Sequence, residues 1–292
     1  MPIPFNPTVK DGRSVALLNE LKVLKALRLF GHLRRQEVAL GCWPHSSPKS
    51  AYIMACRTVS RMVDAGLVLD KTNTLGGKSL VLASKGVARL REQDLNAQEG
   101  YDLAFDGPQF FHRTLGNCYM LDKARTGCEV FGEYSLLKGF SPITKDFVKT
   151  KFNKIPDGLI VYGSEALGYK GNLRGADWVE VESAYKSYDE IRKALLLLTR
   201  NSELNEAGNV TLHKLVFVYD ARQKHDRTLL RAIKQFLKEK PELSAEALLP
   251  EIILAKCFVE PPFVWHGVVE HSAAELLTMP GSSFADLGPM EL

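Results

Sequence analysis

Three carboxylates and a lysine stand at spacings that suit a metal site. Asp157 follows Pro156 in the run Lys154-Ile155-Pro156-Asp157-Gly158, which opens onto the apolar stretch Leu159-Ile160-Val161-Tyr162. Downstream, Asp177-Trp178-Val179-Glu180-Val181-Glu182 interleaves acids with apolar residues, and Lys186 follows four residues after Glu182. In a strand the period of two puts Glu180 and Glu182 on one face, alternating with Val179 and Val181. A carboxylate at the start of one strand and two more on the next make a set of hard oxygen donors suited to Mg²⁺ or Mn²⁺.

Those residues need a frame of strands and helices. Helical periodicity is expected over 110–125, with Phe111, Leu115, Tyr119 and Met120, and a further element begins near Gly132-Glu133-Tyr134. The segment 145–154 is basic (Lys145, Lys149, Lys151, Lys154) with Phe147 and Phe152 interleaved, and lies just before the proposed site, where phosphate contacts would be needed. Strands follow over 159–162 and 177–182, then a helix over 185–199, a strand over 214–220, a helix over 227–238 and a strand over 252–255. Strands alternating with helices predict an α/β domain with a mixed central sheet flanked by helices, spanning 110–278, with a loose tail at 279–292.

The first third of the chain has a different character. Residues 1–91 hold 15 Lys and Arg against 5 Asp and Glu, a balance of +10, whereas the remainder holds 23 against 29, a balance of −6. After a Pro-containing arm (1–12), helices are expected over 14–30, 34–40 and 48–64, then two short apolar runs around Gly76-Gly77, then a helix over 84–92. That order resembles a winged helix-turn-helix domain covering 1–92, with 70–78 as the wing and 93–109 as a polar linker. A DNA-contacting face would then draw on Ser47, Lys49, Ser50, Tyr52, Arg57 and Arg61 of the third helix and on Lys71 and Lys78 of the hairpin. Hydroxyls and backbone N–H groups at a helix start suit phosphates, and the cations add the attraction. A solvated basic surface, or a winged helix used for protein contact, would carry the same charges.

Composition narrows the setting. The chain has 292 residues, 45% apolar and 25% charged, with a net charge of +4. No stretch approaches the ~20 apolar residues of a membrane span, and Met1-Pro2-Ile3-Pro4 lacks the character of a signal peptide, so a cytoplasmic location without membrane contact is expected. Five widely spaced cysteines (Cys42, Cys56, Cys118, Cys128, Cys257) form neither a disulfide framework nor a zinc pattern, and read as free thiols.

A helix, the Pro156-Asp157 turn, Glu180 on the following strand, then helix and strand together resemble the PD-(D/E)XK nuclease fold. With a winged helix ahead of it, and with Pro156-Asp157-Gly158-Leu159-Ile160 followed by Val179-Glu180-Val181-Glu182-Ser183-Ala184-Tyr185-Lys186, the chain resembles the replication-relaxation family, which includes the MobC-type relaxases of mobilisable plasmids. The resemblance covers 14–265. It implies metal-dependent DNA nicking, with Asp157, Glu180 and Glu133 holding the Mg²⁺ or Mn²⁺ and a lysine stabilising charge on the phosphate. Its expected partner is double-stranded DNA, single-stranded near the nick, with a homodimer or other mobilisation or replication proteins around it. The sequence departs from the family at that lysine, because the Glu-x-Lys position after Glu180 is Glu182. Either Lys186 returns its ammonium from the next helix, or Glu182 is itself a ligand. Tyr185 and Tyr188 are the tyrosines available to a covalent relaxase, without the His cluster such enzymes use. The alternative to an enzyme is a sequence-specific replication or transcription regulator with an inactive nuclease-like domain.

Overall fold

Asp11 starts the first helix by accepting hydrogen bonds from the backbone N–H of Arg13 (3.2 Å) and Ser14 (3.3 Å), and Gly31, at φ 76°, ends it. The computed structural model describes residues 11–73, 77–99, 106, 109–162, 174–183, 186–199, 210–223, 225–260 and 263–279. Two compact units divide the chain, Met1–Ser141 and Pro142–Leu292.

In the first unit, α1 (Gly12–Phe30) turns Val23, Leu24, Leu27 and Phe30 inward. Helix α2 (Arg35–Cys42) is opened by a buried pair in which Glu37 accepts from the Arg34 backbone N–H (2.6 Å) and from its guanidinium (3.0 Å). Helix α3 (Pro48–Asp64) is capped by the Ser47 hydroxyl, which accepts from Ser50 N–H, and carries Pro48 in its first turn, where no N–H is needed. Strands β1 (Val68–Thr72) and β2 (Lys78–Leu82) pair antiparallel with Val68 opposite Leu82. Helix α4 (Ser84–Arg91) crosses so close to the chain that a Cβ at Gly86 would fall 2.2 Å from the Leu67 carbonyl oxygen, so only glycine fits there. The turn of the hairpin, 74–76, lies outside the described residues, as do the arm up to residue 10 and most of 100–108.

The division at 141/142 falls later than the expected linker at 93–109. The reason is α5 (Gln109–Ala124), which is buried nearly all round: Phe110, Leu115, Tyr119 and Met120 together with Arg113, Thr114 and Asn117. Its Asn117 donates to the His32 carbonyl (3.3 Å), and Cys118 lies 3.8 Å from Glu37. Strand β3 (Glu129–Gly132) and helix α6 (Glu133–Leu137) follow, and Ser135 donates to the Leu29 carbonyl. Residues 109–137 therefore complete the core of the first unit.

The second unit is a mixed α/β layer. Helix α7 (Lys145–Phe152) ends at Asn153 in the left-handed conformation, φ 51°, and residues 154–157 lead without regular structure into β4 (Gly158–Tyr162). Strand β5 (Arg174–Glu182) runs antiparallel to β4 with Gly158 opposite Val179. Helix α8 (Tyr188–Leu198), opened by a Ser187/Glu190 capping box, leads to β6 (Val210–Asp220), parallel to β5. Helix α9 (His225–Glu239) leads to β7 (Ile252–Glu260), parallel to β6, and β8 (Val264–Ser272) turns back antiparallel. The order is β4-β5-β6-β7-β8. From Gly175 to Glu182 every residue of β5 is buried, as both faces of a sheet's interior strand demand. Strand β8 was absent from the sequence expectation because Val264-Trp265-His266-Gly267 breaks the apolar alternation. The tail beyond 279 lies outside the described residues. Among the described residues no helix is long and apolar enough to cross a membrane.

Candidate functional site

The end of β5 gathers the carboxylates. The Asp157 backbone N–H donates to the Val179 carbonyl (3.0 Å), and its side chain accepts from the Val181 N–H (2.7 Å), so the residue extends the β4–β5 ladder with its own carboxylate. Glu180 and Glu182 share a face of β5 with Trp178. Glu180 is 2% exposed, and both its oxygens are engaged: Oε1 accepts from the Trp178 indole N–H (2.7 Å) and Oε2 lies 2.8 Å from Lys154 Nζ. Trp178 is fully buried, with Phe152 of α7 edge-on at 6.1 Å.

Lys186 closes the cluster from the segment that leads into α8. Its ammonium donates to Glu182 Oε1 (2.9 Å) and the Val181 carbonyl (3.2 Å), and lies 3.5 Å from Glu180 Oε2. Asp157, Glu180, Glu182 and Lys186 are thus brought to one place, with Lys154 as a fifth member. Three carboxylates, those of Asp157, Glu180 and Glu182, are gathered with two ammoniums, those of Lys154 and Lys186.

Burial and these neighbouring charges set the titration of the site. Burial, opposed by Lys186 and reinforced by Glu180 and Asp157, pushes Glu182 up to about 7. Burial alone would lower Lys186, but Glu180, Glu182 and Asp157 overcome it and raise it above the ordinary lysine value. An acid raised in the folded state binds more protons there than when unfolded. Glu182 therefore favours the fold at low pH, and stability falls as pH rises from its unfolded value near 4.5 through about 7. Glu182→Gln should flatten that slope, gaining on the order of 2 kcal/mol relative to the parent between acidic and neutral pH, as read by denaturant melts at several pH values.

Other acids of the motif have partners of their own. Asp177 points to the opposite face of β5, where it accepts from the Tyr162 hydroxyl and lies 3.4 Å from His213 Nδ1. Glu133 belongs to the first unit, where its carboxylate pairs with Arg113 (2.5 Å). Burial pushes the Tyr188 phenol up to about 12, the reverse of what an activated nucleophile needs, and Tyr185 lies outside the described residues. The cysteines are all free; Cys42, Cys118 and Cys257 are buried, and burial pushes Cys42 up to about 12. Sequence reading missed the roles of Lys154 and Trp178. Lys154 stood in view as part of a basic run, and only the fold shows that it reaches Glu180.

In the first unit, Ser47, Lys49, Ser50, Tyr52, Arg57 and Arg61 lie exposed along α3, opposite its buried stripe of Ala51, Ala55, Val59 and Met62. Lys78 is exposed and Lys71 half-buried on the hairpin. Lys49, Arg57, Lys71 and Lys78 make no ion pair among the described residues, whereas Arg61 lies 3.6 Å from Glu20.

Among the described residues no three His, Cys, Asp or Glu side chains are grouped so as to hold a metal by themselves. Asp157 and Glu180 nevertheless carry hard carboxylate oxygens, those of Glu180 shared with Trp178 and Lys154. That matches the way Mg²⁺ is held through one or two carboxylates plus phosphate oxygens and water. Comparison of the chain with protein-family models, curated proteins and solved structures finds no match.

Proposed function

We propose that the chain is a metal-dependent DNA-nicking endonuclease, with a winged helix-turn-helix as the DNA-binding part of its first unit and a PD-(D/E)XK-like second unit. The observation that carries this reading is Lys186: its ammonium returns to Glu180 and Glu182 from beyond the strand, so a lysine stands beside the acids although Glu182 occupies the Glu-x-Lys position. Asp157 and Glu180 would hold Mg²⁺ or Mn²⁺. When bound, the ion polarises the scissile phosphate and lowers the pKa of the attacking water. The chain's own groups do the rest. The Val181 N–H fixes Asp157, Trp178 orients Glu180, and Glu182 anchors Lys186. Lys186 then offers a preorganised positive charge where negative charge develops on the phosphate. A plasmid-nicking assay with Mg²⁺, with Mn²⁺ and with EDTA tests this; open circles should form only with metal.

A second reading, a non-catalytic DNA-binding regulator of replication or transcription, draws on one observation: both oxygens of Glu180 are already engaged, by Trp178 and Lys154. It takes over should intact supercoiled plasmid survive every metal.

On either reading the first unit docks on duplex DNA through phosphates. Log affinity should fall with log salt by roughly 0.9 per phosphate neutralised, and Lys49→Ala and Arg57→Ala should each lower that slope by about 1. Fluorescence anisotropy across a salt series measures both; a salt-independent affinity would remove the docking role.

A further inference from the structure

We propose that Lys154 is a latch on Glu180. It holds this carboxylate while DNA is absent and passes to a DNA phosphate when duplex enters, so that DNA and the divalent ion bind cooperatively. The inference rests on the nuclease reading above.

The two lysines of the site are held differently. Lys186 is tied to three oxygens, those of Glu182, the Val181 carbonyl and, more distantly, Glu180. Lys154 holds a single carboxylate oxygen, Glu180 Oε2, at 2.8 Å. It also sits on the irregular link between α7 and β4, just past the left-handed Asn153, rather than inside a helix or strand. Its side chain keeps 19% of its exposure, against 2% for the carboxylate it touches. One end of the pair is fixed and buried; the other can swing.

Glu180 cannot be released to water alone. A carboxylate this deeply buried needs a cation close by, because desolvation costs far more than a solvated charge can recover. In the free protein Lys154 is the nearer such cation, at 2.8 Å, with Lys186 at 3.5 Å. A divalent ion on Glu180 Oε2 would meet an ammonium at hydrogen-bond distance, so the two compete for one oxygen. A phosphate arriving along the basic α7, where Lys149 and Lys151 are exposed, gives the Lys154 ammonium a second anion to pair with. Movement of Lys154 to that phosphate vacates Oε2 for the metal. By linkage, DNA then tightens metal binding and metal tightens DNA binding by the same factor.

The test is isothermal titration of Mn²⁺ into the full chain, with and without a saturating short duplex, for the parent and for Lys154→Met. The parent should bind Mn²⁺ at least about tenfold more tightly with duplex than without, the worth of one charge-assisted hydrogen bond. Lys154→Met, which keeps the side-chain length without the charge, should bind Mn²⁺ about tenfold more tightly than the parent in the absence of DNA, and duplex should add correspondingly less. Lys154→Arg retains the pair on Glu180 and should return the DNA-free Mn²⁺ affinity to the parental level or below, which also serves if the Met variant folds poorly. Equal Mn²⁺ affinities for parent, Met and Arg variants overturn the latch and leave the nuclease reading standing. No Mn²⁺ binding by any of them, with or without duplex, removes the nuclease reading and the latch together.

Discussion

Glu180→Gln should lose plasmid nicking by about 10³-fold while the first unit still docks on duplex DNA. The size follows from removing a charge that acts in a water-poor site, where a single electrostatic contact is worth about 10²–10³ in rate. Gln keeps a carbonyl oxygen for the Trp178 indole N–H, so the buried tryptophan retains its partner. What disappears is the charge at Oε2, together with the ion pair to Lys154. Asp157→Asn should behave alike, because an amide oxygen can still accept from the Val181 N–H and close the end of the β4–β5 ladder. Alanine at either position would confound the result by leaving a buried donor without its acceptor. Nicking rates, binding isotherms and melting temperatures of both variants separate chemistry from folding. Parental nicking by both would end the nuclease assignment.

The second large effect concerns stability. Lys186→Met removes the cation that faces Glu182 at 2.9 Å and Glu180 at 3.5 Å, both of them buried. Breaking a buried ion pair from one side costs about 3–5 kcal/mol; the ammonium keeps some contact with water here, so about 2–4 kcal/mol is expected at neutral pH. The loss should depend on pH in a definite direction. Lys186 is what pulls Glu182 down against burial, so without it the carboxyl rises further above about 7. A protonated Glu182 needs no cation. The deficit of the variant should therefore shrink below about pH 5 to the part owed to Glu180 and grow toward alkaline pH. Denaturant melts across that range decide the matter: a variant as stable as the parent at neutral pH would mean that Lys186 does not hold the acidic cluster together.

How far the sequence could be read depended on the range of the interaction involved. The Pro156-Asp157 turn, the apolar run after it and the alternation through Glu182 are local, and β4 and β5 form where that local pattern puts them. The same period of two carries Asp177 away from Glu180, to Tyr162 and His213, although the two acids are only three residues apart. Helix α3 likewise spans Pro48–Asp64, where its helical spacing put it. By contrast, α5 reads as an ordinary amphipathic helix, and its place in the first unit depends on Asn117 meeting the backbone of His32, 85 positions away. The pairing of Lys154 with Glu180 was hidden for the same reason: no spacing rule links a lysine before one strand to a glutamate on the next.

From β4 to β8 each strand lies beside the one made just before it, with no later strand inserted between earlier neighbours. A chain emerging from the ribosome can therefore lay this sheet down one strand at a time, each closing a loop no longer than its own connection. The β4–β5 pair that carries Asp157 and Glu180 comes first in that order, and β6, β7 and β8 arrive on a pairing already present. The acidic cluster is then buried only when its cations, from Lys154 just ahead of β4 and Lys186 just after β5, have also been synthesised. The charges that would be most costly to bury alone are born within 33 residues of one another.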